Sequence, residues 1–282
     1  MTPWLDRTLP GAVDQFVAWT TGPPDRTLLV IHGGPDWDHT YLRHPLDRLA
    51  GHHRLLLPDL RGCGRSTCGL PPTAFAPDTV VVDLIALLDA FDTRRADVLG
   101  FSFGGLLAQR LAVTVPDRIG KVIIASSSVL PVPPDAYPDT PHQRSIRAAE
   151  NAVWSDLSRT GPARTEAAAR AGARSNLARA SAARGYHRRL SRIRFSADWA
   201  NARDAGALRS PRLAHPVERL SATGLPILLL HGRHDLTFPA GLAVEAAARI
   251  PGARAVVLER AAHMAHIDQP RRWLAEVSAF LR

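Results

Sequence analysis

Cysteine is almost missing from this chain: Cys63 and Cys68 are the two in 282 residues. They share one glycine-rich stretch, which argues against both a disulfide framework and a zinc site. Lysine is scarcer still, with Lys121 the one lysine among 35 basic residues. No run of 18 apolar residues occurs, so no transmembrane helix and no membrane partner are expected. The opening residues, Met1 to Asp6, lack the basic-then-apolar order of a secretory signal. These absences together predict a cytoplasmic protein.

An apolar share of 45% and a mean hydropathy of -0.09 describe an ordinary globule, long enough for one large domain or a domain with an insertion. The formal charge of +9 is not spread evenly. Between Pro141 and Leu220 there are 16 arginines against 6 acids, and the remainder is close to neutral. No aromatic residues interleave with these arginines in a stacking pattern, so nucleic acid is not an expected partner. Arg170 with Arg174, or Arg184 with Arg188, at i,i+4 spacing would either hold cations over a site or form a solvated helix face. The solvated face is the preferred reading. The pattern carries no signal for an oligomeric state.

Residues 11 to 20 mix apolar and polar side chains as an edge strand does. Three short apolar runs, Thr27 to His32, Arg54 to Asp59 and Lys121 to Ala125, read as strands buried on both faces. A helix over Thr79 to Phe91 places Val80, Leu84, Leu87, Leu88 and Phe91 on one face. After Ala125 the alternation stops: prolines cluster at Pro131, Pro133, Pro134, Pro138 and Pro141. A helical stretch follows, broken near Gly161-Pro162, Gly172 and Gly185. Alternation resumes with a strand at Leu225 to His231, a helix at Ala240 to Arg249, a strand at Ala255 to Leu258 and a helix at Gln269 to Arg282. The expected fold class is α/β, a mostly parallel sheet flanked by helices. Residues 1–125 and 214–282 form its core and 126–213 an inserted helical lid.

The stretch Asp97-Val98-Leu99-Gly100-Phe101-Ser102-Phe103-Gly104-Gly105 carries the chemistry. A strand enters a Gly-x-Ser-x-Gly and leaves as a helix, the setting of a nucleophile elbow. Side chains two before and two after the serine would collide in such a turn, and Gly100 and Gly104 remove them. Serine needs a base, and the base needs a carboxylate. Asp235 follows one later strand and His263 the last, in the chain order serine, acid, histidine. His266 competes with His263, and the spacing to Pro270 favours His263. All of these groups, with His32, fall where a parallel sheet gathers its site, at the carboxyl ends of strands.

Through these motifs, and through His32-Gly33-Gly34-Pro35, the chain resembles an α/β-hydrolase fold serine hydrolase of the proline iminopeptidase branch. The resemblance implies Ser102, Asp235 and His263 as catalytic residues and the amides of Gly34 and Phe103 as the oxyanion hole. It also implies a structural role for the loop from Asp59 through Arg61, Gly62 and Gly64 to Ser66. Gly33, Asp36, Trp37, Phe101, Trp154 and His266 are the expected substrate contacts, with no cofactor and no metal.

Two departures from that branch stand out. Asp36-Trp37-Asp38-His39, bulky and charged, stands where relatives of the branch carry a further glycine. The glutamates that bind a substrate's free amine there have no counterpart, since Leu236 follows Asp235 and the Trp154-Ser155-Asp156 stretch of the lid offers none. Asp36 or Asp38 would either supply that negative charge or cap a helix beginning near Trp37, and the cap is preferred. The leading expectation is therefore hydrolysis of a small-molecule ester, amide, lactone or thioester through an acyl-enzyme. An iminopeptidase-like aminopeptidase comes second. A C-C bond hydrolase or lyase, or an idle binding protein of the same fold, comes after that. Epoxide hydrolases and haloalkane dehalogenases of this fold need a carboxylate at the elbow, which Ser102 does not provide.

Overall fold

A computed structural model describes residues 4–137, 140–156 and 158–282. Eight strands form one sheet in the order β1-β2-β4-β3-β5-β6-β7-β8. They are β1 Leu5–Leu9, β2 Gln15–Trp19, β3 Thr27–Ile31, β4 Arg54–Pro58, β5 Ala96–Phe101, β6 Ile119–Ala125, β7 Ile227–Gly232 and β8 Ala253–Leu258. The pairs β1 with β2 and β2 with β4 are antiparallel, and every pair from β4 to β8 is parallel.

The edge differs from the expectation. The stretch read as an edge strand is β2, an interior strand buried along nearly its whole length, and the exposed β1 covers it. Alternation of polar and apolar residues across 11 to 20 is the sequence of a loop feeding a short buried strand.

The central strands are apolar on both faces because helices cover both. Leu29 and Ile31 point into one core with Leu84, Leu88, Leu107 and Leu111, while Leu28 and Val30 point into the other with Leu99, Leu228 and Trp273. We label the helices of seven or more residues in chain order: α1 Pro77–Ala90, α2 Phe103–Thr114, α3 Pro141–Ser155, α4 Gly161–Ala171, α5 Ala183–Leu190, α6 Asp198–Asp204, α7 Pro216–Ala222, α8 Ala240–Arg249 and α9 Pro270–Leu281. Each of α1, α3, α4, α7 and α9 carries a proline within its first two positions, where the missing amide costs nothing.

Between β6 and β7 the described residues are helical or irregular, with no strand. Gly161 opens α4 and Gly172 closes it. Gly185 breaks nothing: it lies inside α5, and the interruption falls earlier, between Leu177 and the turn at Ala180–Ala182. Pro138 lies outside the described residues. No helix among the described residues is long and apolar enough to cross a membrane. Cys63 and Cys68 are both free.

Register brings the strand ends level. Ile31 pairs with Gly100, Phe101 with Ala125, Ala125 with Leu230 and Gly232 with Leu258, so the loops after β3, β5, β7 and β8 meet at one edge. The elbow after β5 fits only because two side chains are absent. A Cβ on Gly100 would lie 2.3 Å from the carbonyl oxygen of Gly104, and one on Gly104 would lie 2.2 Å from that of Ile31.

Backbone oxygens cannot retreat from such contacts as a side-chain tip can. Gly104→Ala is therefore expected to lower stability by about 3 kcal/mol or to prevent folding. Gly51→Ala, where a Cβ meets nothing within 4 Å, should change the urea midpoint little. Equal midpoints for the two variants would refute the steric account of the elbow.

Candidate active site

Ser102 sits at the tip of the turn with φ 54° and ψ -119°, a conformation that non-glycine residues rarely hold. Its own amide is anchored by donating to Ala125 O at 2.9 Å. His263 Nε2 lies 3.0 Å from Ser102 Oγ, and His263 Nδ1 lies 2.9 Å from Asp235 Oδ2. The second carboxylate oxygen of Asp235 accepts from the amides of Thr237 at 2.7 Å and Phe238 at 3.0 Å. The Tyr137 hydroxyl and the Arg147 guanidinium donate to the carbonyls of Asp235 and Leu236. Burial pushes the Asp235 carboxyl up, but His263, His231 and the Phe238 amide outweigh it and hold the group below its ordinary range. The carboxylate thus stays ionised while it fixes the imidazole. A chain of this kind withdraws the serine proton and stabilises the cation that results.

The glycine-rich loop after β3 flanks this chain. Gly34 has φ 57° and, with Phe103, lines the cavity beside Ser102. Phe103 is the first residue of α2, where an amide has no acceptor a turn earlier. His32 is fully buried, with Nδ1 3.1 Å from Gly33 O and Nε2 accepting from the Leu60 amide at 3.0 Å. That pattern requires the neutral ring protonated on Nδ1. Tyr41 closes the bracket by accepting from the Gly33 amide and donating to its carbonyl. Asp59 accepts from the amides of His39 and Arg65, and Arg61 forms a bidentate pair with Asp83 at 2.7 Å, so the loop after β4 is scaffolding.

A cavity of about 380 Å³ separates these loops from α3, α4 and α6. Of the expected contacts, Asp36, Trp37, Phe101 and Trp154 line it. Two expected contacts do not. Gly33 sits behind the elbow, where a Cβ would meet Ser102 Cβ at 2.6 Å. His266 is fully buried behind the cavity wall, among Phe101, Tyr41 and Trp273, with neither ring nitrogen hydrogen-bonded. Asp235 also lies off this cavity wall, behind His263.

A sequence profile described as alpha/beta hydrolase fold matches residues 26–270. The chain belongs to the α/β-hydrolase fold family. Among curated relatives it is similar to a putative carbamate hydrolase, RutD, of Caulobacter segnis, with 36% identity over 125 residues that make up 44% of this chain and 47% of the relative. It is also similar to rhodomycin D methylesterase DauP of a Streptomyces species, with 33% identity over 44% of this chain and 43% of the relative. The chain thus matches somewhat under half the length of these relatives. A solved esterase of Exiguobacterium antarcticum superposes over 100% of this chain and 99% of its own with a TM-score of 0.75 at 18% identity, a likeness of fold.

Within this α/β-hydrolase fold the preferred cap falls to one of the two aspartates that follow Gly33-Gly34, and the other acts differently. Asp38 does cap its own short turn, accepting from Thr40 N at 2.9 Å. Asp36 reaches across to the segment between β6 and β7 and accepts from Ser196 Oγ and from the amides of Trp199 and Ala200 at 2.9 and 2.8 Å, capping α6 from outside. Burial pushes the Asp36 carboxyl up, and those three donors partly offset it.

A glutamate outside the Trp154-Ser155-Asp156 stretch does reach the cavity. Glu150, one helical turn before Trp154 on α3, lines the cavity and accepts from Ser175 Oγ at 2.9 Å. Its i,i+4 spacing from Trp154 was the available signal. Thr165, Asn176, Trp199, Arg203 and Leu208 complete that wall without any sequence motif to mark them. None of Arg170, Arg174, Arg184 and Arg188 reaches it.

His266 gives a pH test. Burial first, then the charges of Arg189 and His263, push its pKa well below the ordinary value of 6.5. The unfolded chain takes up a proton below that value and the folded chain does not, so this residue's contribution to stability is lost as pH falls from 6.5. His266→Phe should therefore flatten the stability profile below about pH 6.5, by a slope that approaches about 1.4 kcal/mol per pH unit as the unfolded imidazole becomes fully protonated. An unchanged slope in calorimetric scans would refute the neutral buried state.

Proposed function

We propose that this protein is a serine hydrolase of small-molecule esters, amides, lactones or thioesters, working through an acyl-enzyme. The observation that carries the reading is the hydrogen-bonded chain from Asp235 through His263 to Ser102 at the wall of a cavity. In the proposed reaction Ser102 Oγ bonds to the substrate's carbonyl carbon as its proton passes to His263 Nε2. The amides of Gly34 and Phe103 hold the oxyanion, aided by the positive end of α2. His263 then protonates the departing alcohol, amine or thiol, and a water activated by the same ring releases the acid. Asp235 holds the ring and compensates its charge throughout. The reaction needs no cofactor. Residues 126–213 act as the lid, and the two free cysteines fit a cytoplasmic location.

The cavity favours an ester with a planar or apolar body. Trp37, Phe101, Phe103, Trp154 and Trp199 all line it. The similarity to a methylesterase points the same way.

Ser102→Ala should cost about a million-fold in kcat while leaving the melting temperature near that of the parent. His263→Ala should be comparably damaging, because the two groups act as one unit. A fluorophosphonate probe should label the parent and not the Ser102 variant. Labelling that survives the substitution would remove Ser102 as nucleophile, and a parent that never labels would favour an idle binding protein.

An aminopeptidase of the iminopeptidase type is the second reading, favoured by one observation. Glu150 brings a carboxylate to the cavity wall that, among the described residues, has a hydroxyl partner but no ion-pair partner. An ammonium group would complete it. A panel of p-nitrophenyl esters against aminoacyl p-nitroanilides separates the readings. If the anilides win, Glu150→Gln should lower their kcat/KM by about tenfold or more and leave ester turnover alone. If the esters win and Glu150→Gln changes neither class, the aminopeptidase reading fails.

A further inference from the structure

A second concavity lies away from the hydrolase cavity. It is a groove of about 640 Å³ between the end of α5 and the core segment that follows the oxyanion loop. Arg188, Arg189 and Arg192 form one wall, and Arg43 and Arg65 the other. Asp47 is the one acidic residue in the lining, and it lies 3.3 Å from His44. Arg65 is committed to Asp38 at 2.9 Å. Arg65 also lies 3.7 Å from Asp59, so set against Asp47, Asp38 and Asp59 the five guanidiniums leave a net charge of +2.

Arg65, Arg188 and Arg192 reach solvent, while Arg43 and Arg189 are half-buried. Arg188 and Arg192 have no side-chain acceptor among the described residues. Arg189 donates through Nη1 to Gly185 O, and its Nε is buried with no partner at all. Arg43 spends two donors on the neutral ring nitrogen of His39. Burial first, and then the neighbouring arginines, push the guanidiniums of Arg43 and Arg189 down from their ordinary value. Like charges converging from segments far apart in sequence repel, and a buried donor without an acceptor adds a desolvation cost. An acceptor-rich anion in the groove relieves both. Planar guanidiniums meet phosphate oxygens in bidentate pairs, and several converging donors exceed what one carboxylate accepts.

We propose that this groove is a binding site for the diphosphate group of a small molecule, and that the bound anion ties α5 to the core. The site is separate from Ser102, and the inference does not depend on the hydrolytic reading. A diphosphate carries close to the charge the groove lacks. It also has enough oxygens to engage both walls at once.

The probe is inorganic pyrophosphate, titrated calorimetrically into the full-length protein at low salt. One-to-one saturable binding is expected, with a rise in melting temperature. Arg188→Ala/Arg192→Ala should weaken binding by at least about tenfold and abolish the thermal shift. Arg209→Ala/Arg219→Ala removes the same charge from the same arginine-rich segment and should stay within about twofold. Neither pair touches the hydrolase cavity, so turnover of a reporter ester by both variants shows that they are folded. Absence of saturable binding, or equal weakening in the two double variants, would overturn the site. Orthophosphate binding as tightly as pyrophosphate would overturn the diphosphate assignment.

Discussion

Three buried core carboxylates hold the segment between β6 and β7 by its backbone, and the working geometry depends on that grip. Asp36 accepts from the amides of Trp199 and Ala200, Asp38 from Arg194 N at 2.9 Å, and Asp268 from Ala178 N and Arg179 N at 2.9 and 3.2 Å. Each solves two problems at once. A helix start or turn has amides with no internal acceptor, and a buried carboxylate has charge with no water. Joined, they satisfy each other. Asp36 and Asp38 lie just beyond the glycine-rich loop after β3, and Asp268 also accepts from the Ala262 amide beside His263. The loops around Ser102 and His263 and the segment between β6 and β7 therefore share the same anchors. The unusual φ of 76° at Asp36 is held by that set of bonds.

Electrostatics sorts the histidines by what surrounds each. His263 faces an ionised Asp235 on one side and Ser102 on the other. His231, 3.8 Å from the same carboxylate but fully buried, is pushed down to about 4, because desolvation outweighs the attraction of Asp235. His32 is lowered for the same first reason and serves as a neutral staple between the loops after β3 and β4. One imidazole is thus set between a carboxylate and a hydroxyl, while the neutral ring of His32 holds backbone and that of His231 has no hydrogen-bond partner among the described residues.

What could be read from the sequence was what local sequence encodes. Buried strands announce themselves as short apolar runs, and the elbow by glycines whose missing Cβ atoms the backbone requires at 2.2 to 2.3 Å. Chain order then put Ser102, Asp235 and His263 after the ends of β5, β7 and β8. What could not be read depends on partners far along the chain. Asp36 caps a helix 163 residues away, and a local reading finds only the nearer turn, which Asp38 takes. His266 resembles a site residue by spacing, yet the ring packs against Trp273 rather than the cavity. Gly185 reads as a breaker, but helix packing overrides its low propensity by about 1 kcal/mol.

The arginine surplus shows why composition alone misleads about function. Arg159 pairs with Asp156, Arg164 with Asp204 and Arg170 with Glu166, while Arg203 divides itself between Asp204 and the face of Trp154. Arg179 and Arg212 donate to main-chain carbonyls of Asp268 and Leu130. Much of the excess is thus consumed in holding an alanine-rich segment that has few large apolar side chains of its own. Arg203 alone among the arginines of that segment reaches the hydrolase cavity, and there it is already paired. A positive field over the substrate does not follow from the net charge. Arg188, Arg189 and Arg192, which have no ion-pair partner among the described residues, lie instead in the concavity between α5 and the core, away from Ser102.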